Sequence, residues 1–292
     1  MSFLKSIFKG FGACIKYINT YFKTFVFLFI VFLILSPSGD TKVQNYNLAK
    51  LVLNTEIDNV DALLEKMKEA RDDESVKGVL FVIDSPGGAF APSMQLALTL
   101  EKLRAKKPVL VYASGTLASG SYLAAASANK IYANPASFIG SIGVIVQGAD
   151  ISEFASKLGF KSQVIKAGEF KEAGTFMRQW SEKERLALQT LVNESYTLFT
   201  NYVANARSLD IEQKDEWANA RVFLAKDAKK LKLIDEIADI EDATKELEKL
   251  SGVQKAKFKE DNKFDKFIEK LSAQTSLILT QSIKSALNLG VK

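Results

Sequence analysis

The sequence predicts an α/β fold built on a largely parallel sheet. Three observations carry this. Short runs of β-branched and apolar residues, GVLFVID at 78–84 and PVLVYAS at 108–114, have the length and composition of buried strands. Around them lie stretches whose apolar residues recur at three and four, VDALLEKMKEARDD and MQLALTLEKLRAKK, as amphipathic helices require. The two kinds of segment alternate, which lays crossover helices over parallel strands. With 292 residues and 47% hydrophobic content, the chain can bury one large core or two small ones. It is read here as one main domain with appendages.

At the N-terminus, Lys5, Lys9, Lys16 and Lys23 precede the apolar run TFVFLFIVFLIL, and the first acidic residue is Asp40. Positive charge ahead of an apolar run favours an N-in, C-out orientation. The run is short for a span, but Ile15, Tyr17, Ile18, Tyr21 and Phe22 extend it upstream. Lys23 can snorkel, so an anchor of about 20 residues fits a bilayer. LSPSGD offers no A-x-A-like cleavage site. A cleaved signal peptide and a buried core helix are the alternatives. The expected organisation is a basic segment over 1–15, a transmembrane signal-anchor over 16–36 and a linker over 37–47. The main domain then runs over 48–250 and a helical tail over 251–292.

Within the main domain LAKLVLNTEI is the first strand, and Asp58 or Asn59 can cap the helix after it. GVLFVID ends in the turn SPGGAFAPS, ahead of a second helix. PVLVYAS leads into TLASGSYLAAASANK, a small-residue turn and an alanine-rich helix. KIYA, GVIVQG and KSQVIKA are further strand candidates, with the helix DISEFASKLG among them. A long amphipathic helix starts at Ser181, where Ser181 and Glu184 form a capping box. The tail from Gln254 is lysine-rich and places Phe264, Phe267, Ile268 and Leu271 on one side, as a helix docking on its own body or a neighbouring subunit would.

Composition excludes several classes. The formal charge is +5, yet residues 41–250 hold 27 basic and 29 acidic side chains, so the excess sits at the ends and no nucleic-acid face is expected. The single cysteine, Cys14, precedes the apolar run, which leaves no intramolecular disulfide and no cysteine nucleophile in the main domain. With no histidine a zinc site is disfavoured, and the acidic residues show no regular ligand spacing. Neither a metal nor a cofactor is expected.

Three segments can carry chemistry. In Asp84-Ser85-Pro86-Gly87-Gly88, paired glycines at a strand end permit positive φ and close backbone approach, so an amide can point into a cleft; a plain turn is the alternative. In ASGSY, Ser119 and Gly120 open a helix beside unpaired N–H groups, where Ser114, Ser119 or Ser121 can equally serve as an N-cap. A serine nucleophile here has no histidine to take its proton. A lysine can replace it only if burial lowers its usual value of about 10.4 by roughly 3 units. Lys171, in IKAGEFKEAGTF, has small and apolar neighbours; Lys130 and Lys166 are rivals, and a solvated surface role is open to each.

IDSPGG, ASGSY, NKIYANPASFIGSIGV and GEFKEAG, in that order, resemble the signal peptide peptidase A family, the protease IV type of membrane-bound serine peptidases with a Ser–Lys dyad. The resemblance runs from about 48 to 247 and takes in RVFLAKDAKKLKLIDEIADIEDA. SPGG alone is shared with the wider Clp-protease and crotonase-like fold, which is the fold the resemblance implies. It further implies Ser119 as nucleophile, Lys171 as general base, Gly88 and Gly120 as oxyanion amides, Gly87 as the residue shaping the turn, and Ser141 as a hydroxyl orienting the lysine. The family usually has glycine where Ser121 stands, a departure that bears on the shape of the substrate cleft, and glycines near Ala225 and Lys232, departures that concern a surface turn more than catalysis. The implied protein is an endopeptidase of hydrophobic peptides such as released signal peptides. It would sit in the bacterial inner membrane by a single pass, with its catalytic domain on the extracytoplasmic side. Double-length members take lysine and serine from different halves, so a single-copy chain implies a homo-oligomer with shared sites. A crotonase-like acyl-CoA enzyme and an inactive membrane scaffold are the competing readings.

Overall fold

The computed structural model describes residues 16–29, 31 and 46–259. Residues 16–29 form a helix, α1, whose Tyr17, Phe22, Phe25, Phe27 and Phe29 are exposed. Among the described residues no helix is long and apolar enough to cross a membrane. Position 30 and positions 32–36 of the expected span, and most of the expected C-terminal tail, lie outside the described residues.

From Tyr46 the chain forms a separate compact unit. Strands β1 (Leu48–Leu53), β2 (Gly78–Ser85), β3 (Val109–Ala118) and β4 (Lys130–Ala133) are all parallel, and β7 (Glu236–Ile237) adds a parallel edge in the order β1-β2-β3-β4-β7. The α/β class and the largely parallel sheet are therefore as the sequence predicts. Helices α2 (Asp61–Asp72) and α3 (Phe90–Arg104) provide the first crossovers. The Asn59 carboxamide accepts the Asp61 amide at 3.0 Å at the start of α2. Helix α3 begins four residues before the expected Met94; Pro92 falls in its first turn, where the missing N–H has no partner to lose.

Alternation along the strands divides the core between two faces. Val79, Phe81 and Ile83 of β2 join Val109, Val111 and Ala113 of β3 in the larger cluster, with Leu64 and Met67 of α2 and Leu96 and Leu100 of α3. Leu80, Leu110 and Tyr112 turn the other way and meet Ala243 and Leu247 of α9 (Ile240–Ser251). Each such large side chain, fully buried, contributes about 1.5–3 kcal/mol relative to exposure. Beyond α9 the chain returns to the start of β1, where Leu48 accepts the Lys259 amide at 2.8 Å and its own amide donates to Lys257 at 3.2 Å.

Strand β3 runs four residues past the expected end at Ser114. Its register against β2 slips between Ile83 and Ser85: Ile83 faces Ala113, but Ser85 faces Leu117. The Asp84 carboxylate accepts the Thr116 amide at 2.7 Å across the slip, and a side chain at Gly115 would collide with that carboxylate. Past Ala113, β4 gives way to β5 (Phe138–Gly140), which pairs with Thr116–Ala118 and carries the antiparallel β6 (Val222–Leu224). The first half of β3 thus builds the main sheet, while its second half delivers the next residues to a different strand.

Two expected strands are corrected. GVIVQG and KSQVIKA join no sheet: residues 143–148 and 161–166 form no strand and are largely exposed, with the helix α5 (Ser152–Lys157) between them. Their β-branched composition suits a strand, but a strand exists only where a second backbone accepts its hydrogen bonds, and the described chain presents none. Helix α6 (Glu182–Arg207) opens on the expected capping box: Ser181 Oγ accepts the Glu184 amide at 3.3 Å, and the Ser181 amide donates to Glu184 Oε2 at 2.8 Å.

Candidate active site

The ends of β2 and β3 meet. After Ser85, the chain turns through Gly87 (φ 96°) and Gly88 (φ 154°), both conformations that favour glycine. Ile57 straps this turn, donating to the Gly87 carbonyl at 2.7 Å and accepting the Ala89 amide at 2.8 Å. This is a parallel bridge of Ile57 with Gly88, so the N–H of Gly88 points to the opposite edge. That edge faces the turn after β3. A methyl group on Gly87 would lie 2.5 Å from the Gly120 amide nitrogen, 2.7 Å from the Ala118 carbonyl oxygen and 2.8 Å from Ser119 Cβ. A side chain on Gly120 would strike Ser93 Oγ and sit 3.3 Å from the Gly88 nitrogen. The two turns are interlocked at backbone contact.

Ser119 stands at the N-cap of the short helix α4 (Gly120–Ala125) with φ 52° and ψ −125°. A non-glycine residue there is strained by about 1–3 kcal/mol. The strain is held by the Ser119 amide, which donates to Gly140 O at 2.7 Å, and by its carbonyl, which accepts the Leu123 amide at 3.0 Å. The side chain does not cap the helix. Among the described residues neither the Ser119 hydroxyl nor the amides of Gly88 and Gly120 make a hydrogen bond. A half-buried serine with an unbonded hydroxyl therefore lies beside two glycine amides that make no hydrogen bond.

The other serines have structural work. Ser121, where a glycine is usual in the resembled family, is buried; its hydroxyl donates to Ser85 O at 2.7 Å and accepts the Ala118 amide at 2.9 Å, tying the two turns together. Ser114 Oγ reaches Ile83 O at 3.3 Å. Ser141 follows the Gly140 that holds Ser119, has φ 49°, and donates its amide to Arg221 O at 2.7 Å. Ser93 packs behind Gly120, buried, with its hydroxyl on Ala89 O at 2.8 Å. Sequence reasoning passed over Ser93; its spacing of three, four and seven from Leu96, Ala97 and Leu100 was the available signal.

The structure brings Ser119, Gly87, Gly88, Gly120 and, through Gly140, Ser141 together. It does not bond Lys171 to them: Lys171 is exposed in a turn, its amide on Gly168 O at 3.3 Å, with no hydrogen bond or ion pair to Ser119 or Ser141. The rivals are placed elsewhere. Lys166 pairs with Glu172 at 3.1 Å. Lys130 opens β4 opposite Leu110, eight residues before the end of β3 and so about 26 Å down the sheet from the Ser119 turn.

Residues 101–254 match the sequence profile of peptidase family S49. A Methanocaldococcus jannaschii protein named as a protease is 42% identical over 181 residues, covering 62% of this chain and 58% of that protein. An Enterococcus faecium protein named for the signal peptide peptidase SppA is 34% identical over 193 residues, covering 65% and 56%. The chain thus spans less than three fifths of the length of either relative. Among solved structures, a mutant form of the membrane-bound stomatin-specific protease 1510-N aligns with a TM-score of 0.47 and 14% identity, over 68% of this chain and 84% of that one.

Proposed function

From the premise that this chain belongs to peptidase family S49, we propose that it is a serine endopeptidase working through Ser119 and Lys171. The observation that carries the reading is the uncapped Ser119 hydroxyl, held at φ 52° beside the unbonded amides of Gly88 and Gly120. In this reading the neutral Lys171 amine takes the hydroxyl proton as Ser119 Oγ attacks the scissile carbonyl carbon. The carbonyl π electrons move to oxygen, and the two glycine amides stabilise the resulting oxyanion. Collapse of the tetrahedral species expels the amine, which takes its proton from the Lys171 ammonium and leaves an acyl-enzyme. Lys171 then deprotonates a water that attacks the ester, and the proton returns to Ser119. Ser141 orients the lysine, and Gly87 keeps the turn close enough for both amides to reach one oxygen. No metal or cofactor enters the reaction.

The wider reading keeps the Clp-protease-like fold, the membrane anchor over 16–36 with the body outside the cytoplasm, and hydrophobic peptides such as signal-peptide remnants as substrates. It also places each site between subunits of a homo-oligomer. Two features support sharing. Lys171 is unbonded to Ser119 within one chain, and the extended arm that carries it exposes Ile145, Phe154, Phe160, Ile165 and Phe170. A neighbouring copy would cover that apolar surface and supply the dry surroundings a neutral lysine needs. The reading is tested with a fluorophosphonate probe and a peptide library: wild type is labelled at Ser119 and cleaves peptides, while Ser119→Ala does neither. Cleavage retained by a folded Ser119→Ala protein would reject it.

A further inference from the structure

The turn bearing Lys171 is flanked by two carboxylates, Glu169 and Glu172, and each is bound by cations from elsewhere. Glu169 pairs with Lys183 of α6 at 2.8 Å. Glu172 accepts Lys166 Nζ at 3.1 Å and Arg178 Nη2 at 3.0 Å. Arg178 also grips Glu184, with Nη1 to Oε2 at 2.9 Å and Nη2 to Oε1 at 2.7 Å. Glu184 is buried and belongs to the capping box, so the fork fastens the turn to the rigid start of α6. Lys161 lines the same concavity as Glu172 and Arg178. Neither Glu169 nor Glu172 is paired with Lys171 among the described residues. Hydrogen bonds from Lys166 first and Arg178 second hold the Glu172 carboxyl below its ordinary range.

We propose that Arg178 and Lys166 are positioning residues for Lys171: they sequester the Glu172 carboxylate, so that the acid next to the catalytic amine neither pairs with it nor stabilises its protonated form. The inference rests on the Ser119–Lys171 reading. A base must be neutral to accept a proton, and an unpaired carboxylate one residue away favours the ammonium. An ion-paired carboxylate presents little net charge to its neighbour. The bidentate Arg178–Glu184 contact fixes orientation as well as charge.

The test is the pH–rate profile for peptide cleavage by Lys166→Gln and Arg178→Gln, each alone and combined with Glu172→Gln. Each of the two substitutions removes one of the two cations on Glu172 and leaves part of its charge uncompensated, which moves the acid limb up by about half a pH unit, lowers activity near neutrality about threefold and restores it at high pH. Adding Glu172→Gln brings the limb back to its wild-type position. A purely structural role lowers the rate at every pH and leaves the limb where it was. Arg178→Gln also strips the buried Glu184, so its thermal unfolding is followed in parallel. If it unfolds, Lys166→Gln, which keeps the Arg178–Glu184 pair, decides. An unmoved limb in Lys166→Gln, with Lys171→Arg inactive, overturns this inference and leaves the dyad standing. An active Lys171→Arg enzyme removes the dyad and this inference with it.

Discussion

Replacing Ser119 by glycine removes both the hydroxyl and the Cβ that makes φ 52°, ψ −125° costly, whereas replacing it by alanine removes the hydroxyl alone. The two variants therefore separate chemistry from backbone strain. A strained non-glycine residue costs about 1–3 kcal/mol. Glycine gives back about 0.5–1 kcal/mol through the greater freedom of its unfolded chain. The balance predicts that Ser119→Gly is more stable than Ser119→Ala by about 1 kcal/mol. For a body of this size that is a rise of about 2–4 °C in melting temperature. Both variants are inactive, and Ser119→Ala melts close to wild type because no large cavity opens. Calorimetric melts of the three proteins at one pH make the measurement. A Ser119→Gly protein that melts at or below Ser119→Ala would show that the turn carries no strain at this residue.

Further outcomes are expected. Gly87→Ala destabilises by about 2–5 kcal/mol, from positive-φ strain plus overpacking against the Gly120 and Ala118 backbone, and abolishes cleavage. Gly252→Ala, with φ 71° and nothing within 4 Å, costs only the strain of about 1–2 kcal/mol and leaves activity intact; equal losses in the two would remove the collision from the account. Cleavage rises with pH, and Lys171→Arg is as inactive as Lys171→Ala, because arginine does not deprotonate in a protein; kinetics across pH check this. Co-assembled Ser119→Ala and Lys171→Ala subunits, each inactive alone, regain roughly one quarter of the sites if the sites are shared, and an inactive mixed oligomer rejects sharing. Finally, hydrogen bonds from Arg178, and then from the Ser181 amide, pull the Glu184 carboxyl down to about 2. Its contribution is full above the unfolded carboxyl range near about 4.3 and is lost as pH falls through about 2. The melting difference between wild type and Glu184→Gln should therefore vanish by about that pH, and a difference that persists undiminished would place the stabilisation elsewhere.

The sequence by itself determined the parts of this protein that depend on near neighbours. Strand β2 and helix α2 follow from local pattern, and the capping box of α6 needs only Ser181 and Glu184 three residues apart. The absence of histidine, and the order of SPGG, ASGSY and GEFKEAG, likewise needed no structure to suggest the serine–lysine chemistry proposed above. Tertiary structure alone decided which serine is available. Ser114, Ser119 and Ser121 are alike as N-cap candidates in the sequence, but Ser121 lies within reach of Ser85 O, Ser114 of Ile83 O, and Ser119 of neither. That distinction depends on which carbonyls of β2 come alongside β3, a register set by the slip at Ile83/Ser85. The short pairings β5, β6 and β7, of two or three residues each, are too brief to leave a period in the sequence. GVIVQG and KSQVIKA show the converse, a strand's composition without a strand's partner. Helical bonds close within four residues and are written locally; sheet bonds, hydroxyl partners and the meeting of Gly88 with Gly120 join residues some thirty positions apart, and only the folded chain brings them together.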